Sequence, residues 1–75
     1  MNYTMGKLRP LTVRKVLEVL KKHNFKFVRR GRHDVYRNDE KGITVPVPTS
    51  HGVISSGVVN SLIKQTGIPR EEFLD

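Results

Sequence analysis

The sequence predicts a single α+β domain in which two helices cover one face of a three-stranded antiparallel sheet. Its 75 residues suffice for one domain and one core. Apolar residues recur at helical spacing near both ends of the chain, which indicates a helix at each end. Between the helices, short runs with strand-like alternation are separated by turns that contain glycine. Strands joined this way pair antiparallel, and the apolar face of their sheet needs the helices as cover.

The first helix is predicted to begin after Leu11, with Thr12 as its N-cap. Its apolar stripe has the spacing i, i+3, i+4, i+7 and consists of Val13, Val16, Leu17 and Leu20. Asn24 suits a left-handed terminating residue, and the basic residues 21–23 complement the negative end of the helix dipole. Residues 1–9 show no periodicity and are predicted to form a mobile basic arm on a single domain of residues 1–75.

The first two strands are predicted to form a hairpin. Residues 25–29 alternate apolar and mostly basic side chains, as a half-buried strand does. Arg30 and Gly31 supply the turn, with the glycine available for a positive φ. The second strand spans about residues 32–37 and its pattern is ambiguous, so that either Val35 or Tyr36 faces the core.

A polar loop at residues 38–42 is predicted to lead into a third strand at residues 43–47. Pro46 has no N–H to give to a strand ladder, so this strand should lie at an edge of the sheet.

A second helix is predicted to begin at Ser55 or Ser56 and to end at Gly67, with a last helical turn after Pro69. Its apolar side is formed by Val58, Val59, Leu62 and Ile63. Three further apolar residues are expected to pack against the core: Ile68, Phe73 and Leu74. The order helix, three strands, helix is the layout of double-stranded-RNA-binding domains, and it leaves the opposite face of the sheet free for a ligand.

The charge distribution favours a polyanionic partner. The net charge is +7, twelve of the fourteen basic residues lie at positions 7–41, and three of the seven acidic residues are among the last five. Such an asymmetry indicates a binding face for nucleic acid, an acidic protein or an anionic membrane surface.

Composition excludes several other classes of protein. The chain has no cysteine, so it has no disulfide or thiolate metal site, and its histidines and acids lack metal-ligand spacing. No apolar run approaches the roughly 20 residues that span a bilayer. The first seven residues lack the apolar core of a signal peptide, which predicts a cytoplasmic protein.

Four arginines surround a glycine and a histidine between positions 28 and 37. Arginines hold phosphates well, and an imidazole moves protons near neutral pH. Judged by spacing alone, His33 is more often a solvent-facing strand residue that contacts backbone phosphate than a catalytic group.

Several motifs, in order, resemble the HicA-like (YcfA-type) toxins of bacterial and archaeal toxin–antitoxin pairs over residues 8–74. They are the turn Gly-x-His at 31–33 with the apolar pair 35–36, the Val-Pro-Val strand at 45–47, and the Gly-Ile-x-Arg-Glu-Glu-Phe end at 67–73. The resemblance implies a double-stranded-RNA-binding-like fold and the toxin of a type II pair that cleaves mRNA independently of the ribosome. It implies inhibition by a HicB-like antitoxin protein that covers the RNA face. His33 matches the catalytic histidine of the family's Gly-Ser-His motif, whereas Arg32 stands where the family has serine.

RNA carries its own nucleophile, the 2′-hydroxyl, so that a proton-transferring histidine and cations suffice without a metal or another cofactor. The basic residues predicted to bind RNA are Lys7, Arg9, Lys26, Arg29, Arg30, Arg32 and Arg37. Candidates for a second proton-transferring group are Tyr36, Lys26 and His51. Two other functions stay open: a non-catalytic RNA-binding module, and a module that binds an acidic protein. No part of the sequence specifies an oligomeric state, and with RNA and an antitoxin as the expected partners we expect no membrane partner.

Overall fold

The computed structural model describes residues 8–74 and has the predicted α+β architecture. Its elements in chain order are β1 (Leu11–Thr12), α1 (Val13–Lys22), β2 (Lys26–Arg29), β3 (Asp34–Asn38), β4 (Ile43–Val47), β5 (Val53–Ile54), α2 (Ser56–Thr66) and a 3₁₀ turn (Arg70–Phe73). Residues 1–7, which include Lys7 and most of the predicted basic arm, lie outside the described residues. None of the helices described in residues 8–74 combines the length and the apolar character that a bilayer crossing requires.

The three-stranded sheet has the order β2-β3-β4, and both pairs are antiparallel. Phe27, Tyr36 and Val45 lie directly opposite one another across the three strands and so share a face. Tyr36 and Val45 are buried, so this is the face that packs on the core, and Tyr36 rather than Val35 points inward. Pro46 lies on β4, an edge strand of this sheet, as predicted.

The core lies between the sheet and the two helices. Its buried apolar residues are Leu11, Val16, Val19, Leu20, Phe25, Tyr36, Val45, Val47, Ile54, Val59, Leu62, Ile68 and Phe73. Helix α2 packs against β4, and α1 packs against β1, β5 and the final 3₁₀ turn. Leu8, within the predicted arm, also packs against this core, so the chain is already anchored before β1.

Both helices are capped as the sequence predicts. The side chains of Thr12 and Ser55 each accept a hydrogen bond from the amide three residues later, at 3.1 and 3.3 Å. Asn24 follows α1 with φ 69°, and Gly67 follows α2 with φ 73°. These left-handed residues satisfy the terminal carbonyls of each helix, which fixes where the chain turns into β2 and into the final turn.

Strand β2 differs from the predicted half-buried strand, because all four of its residues are exposed. The register shifts between Phe27 and Arg29, which places a bulge at Val28. Phe27 and Val28 are each 49% exposed. The physical reason is position: β2 is an edge strand, whereas α2 packs against β4 at the other edge. Only Phe25, just before the strand, is buried.

The connection from β2 to β3 is also wider than predicted. It consists of residues 30–33, so that β3 begins at Asp34 rather than near residue 32. Gly31 has no positive φ, contrary to the expectation for a tight two-residue turn. A four-residue connection distributes the reversal over more residues and does not require the left-handed conformation at a central position.

Residue 38 is not part of the predicted polar loop but is the last residue of β3, and its side chain is buried. The amide Nδ2 of Asn38 donates to the carbonyl oxygen of His23 at 2.9 Å, and its Oδ1 accepts from the backbone N–H of Lys41 at 2.9 Å. A polar side chain can be buried when its donor and acceptor are both satisfied in this way. Asn38 thereby joins the end of α1 to the β3–β4 turn.

A second tie joins the end of α1 to the final 3₁₀ turn. Lys22 Nζ donates to Glu72 Oε1 at 3.1 Å, and Nε2 of His23 lies 3.6 Å from the same oxygen. The hydrogen bond from Lys22 holds the pKa of the Glu72 carboxyl below its usual value, against partial burial, which raises it. The folded state therefore favours the ionised carboxylate.

Glu72→Gln is expected to destabilise the protein at neutral pH but not in acid. A carboxyl whose pKa is lower in the folded state contributes stability above its unfolded pKa of ~4.3, and this contribution is lost as the pH falls through the lower folded pKa. Urea unfolding at pH 7 and pH 3 should show a modest difference from wild type only at pH 7. Glu71→Gln, at an exposed neighbour, is the matched control. An equal difference at both pH values would contradict the ionic role of Glu72.

Candidate functional site

His33 lies in the turn of residues 30–33, directly before β3, and is exposed to solvent. The sequence predicts His33 near the start of the second strand, whereas β3 begins one residue later, at Asp34. Within residues 8–74, its imidazole forms no hydrogen bond and no ion pair with another side chain. The ring is therefore free to meet a ligand from solvent.

Three exposed arginines lie within this turn or directly before it. Arg29 ends β2, and a methyl group built on Gly31 would lie 3.8 Å from Nη1 of Arg29, so this guanidinium reaches the turn. Arg30 and Arg32 lie within the turn itself. Nε of Arg30 is 3.7 Å from Oδ1 of Asp34. The predicted combination of arginines and His33 is thus brought together at one end of the β2–β3 hairpin.

Lys26 and Arg37 lie at the opposite end of the hairpin, directly across from each other. Arg37 is four residues beyond His33, which corresponds to about 13 Å along a strand. Its Nε donates to Asp39 at 2.8 Å, and its Nη1 donates to Thr44 at 2.7 Å. These two cations therefore form a separate basic area on the face of the sheet away from the core. Arg9 is exposed in the segment before β1, apart from the hairpin in the chain.

A groove runs beside the turn of residues 30–33, which we call the arginine turn. Its volume is about 440 Å³. One wall is the turn with the start of β3, and the other is the loop of residues 48–52 between β4 and β5. Its lining residues are Arg30, Gly31, Arg32, Asp34, Thr49 and Ser50. Guanidinium and hydroxyl donors outnumber the single carboxylate, so the groove suits an anion. In the part of the chain from Leu8 to Leu74, no three metal-ligating side chains cluster closely enough to hold a metal ion.

Sequence reasoning did not find Thr49 and Ser50. Asp34, the first residue of β3, pairs with Val47, the last residue of β4. The segment before β3 and the segment after β4 therefore lie at the same end of the sheet. This register carries the β4–β5 loop past the arginine turn. No motif marks the two hydroxyl residues, and the only sequence signal is their position just after a strand that pairs with β3.

The three candidates for a second proton-transferring group have different surroundings. Tyr36 is 4% exposed, and burial, assisted by Asp34 and opposed by Arg30, raises the pKa of its hydroxyl. It is therefore poorly placed to exchange protons with a ligand. Lys26 lies at the far end of the hairpin. His51 is exposed and follows Ser50, which lines the groove, so His51 is the candidate best placed for a ligand bound there.

Comparison with protein families identifies one match. The model of the HicA toxin of bacterial toxin–antitoxin systems matches residues 13–68, which is more than half of the chain. The matched region begins at α1 and includes the arginine turn, His33 and both walls of the groove. The observed helices and three-stranded antiparallel sheet are consistent with the double-stranded-RNA-binding-like fold of that family. No curated protein and no solved structure gives a significant match.

Proposed function

Because the chain belongs to the HicA toxin family of bacterial toxin–antitoxin systems, we propose that it is the toxin of a type II pair and an endoribonuclease. It cleaves mRNA in the cytoplasm without a metal ion, and His33 serves as an acid or a base in the reaction. One observation carries the proposal: the exposed imidazole of His33 lies in the same turn as Arg30 and Arg32. The resemblance to the family's Gly-Ser-His motif supports the catalytic role of His33.

In this reaction the substrate supplies the nucleophile. A base removes the proton from a ribose 2′-hydroxyl, the oxygen attacks the adjacent phosphorus, and the bond from phosphorus to the 5′-oxygen breaks. The products are a 2′,3′-cyclic phosphate and a 5′-hydroxyl, whose oxygen receives a proton from an acid. His33 serves one of the two proton transfers, and His51 is the candidate for the other. Arg30 and Arg32 stabilise the additional negative charge on the phosphorane.

The family implies a cognate antitoxin, and we propose a HicB-like protein with an acidic surface that covers the arginine turn. The net charge of +7 and the exposed arginines support an acidic partner. Strand β2 supports the same partner, because Phe27 and Val28 give this basic edge two half-exposed apolar side chains. Apolar anchors surrounded by charge are typical of protein interfaces.

A cleavage assay tests the proposal directly. Purified protein is incubated with a long mRNA in EDTA, and with DNA of the same sequence as the matched substrate without 2′-hydroxyls. We expect fragments from the RNA and intact DNA. RNA that stays intact at high protein concentration, or equal cleavage of the DNA, would overturn the proposed reaction.

A second function is favoured by Arg32, which stands where the resemblance to the family implies a serine. An arginine adds charge for phosphate but removes the hydroxyl, which fits a non-catalytic module that binds RNA with the same basic surface. This alternative predicts RNA binding that weakens steeply with salt and no cleavage in the assay above.

A further inference from the structure

We propose that the groove between the arginine turn and the β4–β5 loop is a subsite for a phosphodiester group of single-stranded RNA. In this subsite the hydroxyls of Thr49 and Ser50 donate hydrogen bonds to the phosphate, opposite the guanidinium of Arg32. The inference rests on the proposed function for the identity of the substrate, and it adds two residues of the β4–β5 loop to the binding site.

The groove is open to solvent, as a site for a polymer must be. Its two walls come from the segment before β3 and the segment after β4, and its volume is about 440 Å³. A phosphodiester in an open groove can continue in both directions, whereas an enclosed pocket would accept only a free phosphate. The exposed rings of His33 and His51 belong to residues adjacent to the lining, one on each wall.

Among the described residues, one of the two arginines that line the groove has no acidic partner and is available to a ligand. Arg30 uses its Nε towards Asp34, whose side chain is only 14% exposed. This ion pair offsets the negative charge of Asp34, and the two Nη groups of Arg30 take no part in it. Within residues 8–74, Arg32 forms no ion pair and is exposed. Its guanidinium is therefore the freest positive charge at the groove and can pair with a phosphate in bidentate geometry.

The hydroxyls of the opposite wall are likewise available. No other group among the described residues accepts a hydrogen bond from Thr49 or Ser50 or donates one to their side chains. Thr12 and Ser55, in contrast, use their hydroxyls to cap helices. Hydroxyl donors and guanidinium groups together are the usual partners of phosphate oxygens in nucleic-acid complexes.

Binding of a fluorescent single-stranded oligonucleotide with 2′-O-methyl riboses tests the subsite, because this probe lacks the nucleophile and stays intact. The double variant Thr49→Val/Ser50→Ala is expected to weaken binding at least about 10-fold, since two hydrogen bonds to a charged group are lost. Arg32→Gln is expected to weaken binding about 10-fold. Anisotropy titrations at several salt concentrations separate the two: Arg32→Gln lowers the salt slope by about 0.7, and the hydroxyl variant leaves it unchanged.

Matched controls lie on the exposed face of α2, where Ser61→Ala removes a hydroxyl and Lys64→Gln removes a charge away from the groove. Both are expected to bind within about twofold of wild type. If the hydroxyl variant binds as wild type does while wild type cleaves RNA, the subsite is wrong and the proposed function stands. If wild type neither binds the probe nor cleaves RNA, the proposed function and the subsite are both wrong.

Discussion

The His33→Ala protein is expected to cleave RNA about 10²–10⁴-fold more slowly than wild type, the usual contribution of a positioned acid or base. The exposed imidazole forms no hydrogen bond and no ion pair within residues 8–74, so its removal should leave folding unchanged. The measurement is the single-turnover cleavage rate of a short RNA in EDTA, combined with the affinity for the 2′-O-methyl probe. We expect a large loss of rate and less than a threefold change in affinity.

A histidine that only contacts the phosphate backbone would give a different result. His33→Ala would then weaken probe binding, and the rate at saturating protein would stay near that of wild type. His51→Ala is the informative companion, because His51 is also exposed. If His51 is the second proton-transferring group, its loss slows cleavage and removes one limb of the pH–rate profile. Equal rates for His33→Ala and wild type would refute the assignment of His33.

Asn38→Ala is expected to lower the free energy of unfolding by about 2 kcal/mol, because the buried side-chain amide donates one hydrogen bond and accepts another. Alanine leaves the carbonyl of His23 and the N–H of Lys41 without these partners. In a domain of this size the change corresponds to a decrease in Tm of roughly 8–16 °C. Thermal unfolding followed by circular dichroism measures it.

The control for this prediction is Asn60→Ala, since Asn60 lies in α2 and its side chain forms no hydrogen bond among the described residues. It is expected to change Tm by only a few degrees. Unfolding curves of Asn38→Ala and Asn60→Ala that coincide would contradict the structural role of Asn38.

The helices and their caps could be predicted from the sequence because their determinants are local. The stripe that contains Val16 and Leu20, the cap Thr12 and the left-handed Asn24 all lie within one helix and its ends. Tyr36 and Val35 could not be distinguished, because both faces of that strand carry charged residues. The exposure of Phe27 depends on contacts between distant segments, which periodicity does not report. The same holds for β1 and β5, which pair antiparallel as a separate two-stranded sheet.

In the candidate site, too, residues that are close in the chain could be predicted together, whereas residues from distant segments could not. His33 and the arginines of the turn are adjacent in the chain, so that their association follows from the sequence and the family pattern. Thr49 and Ser50 reach the site only through the register of β3 and β4. Arg37 looked equivalent to Arg32 in sequence, yet the length of β3 separates it from His33. Distances along a strand and across a sheet thus decided which cations lie together.

The chemical ends of the RNA fragments test the central claim most directly. That claim is that the ribose 2′-hydroxyl attacks the adjacent phosphate, with His33 serving one of the two proton transfers. Mass spectrometry of fragments produced by the wild-type protein in EDTA should find 2′,3′-cyclic phosphate or 3′-phosphate on one side of the cut and 5′-hydroxyl on the other. Fragments with 3′-hydroxyl and 5′-phosphate ends would show that water is the nucleophile and would contradict the account.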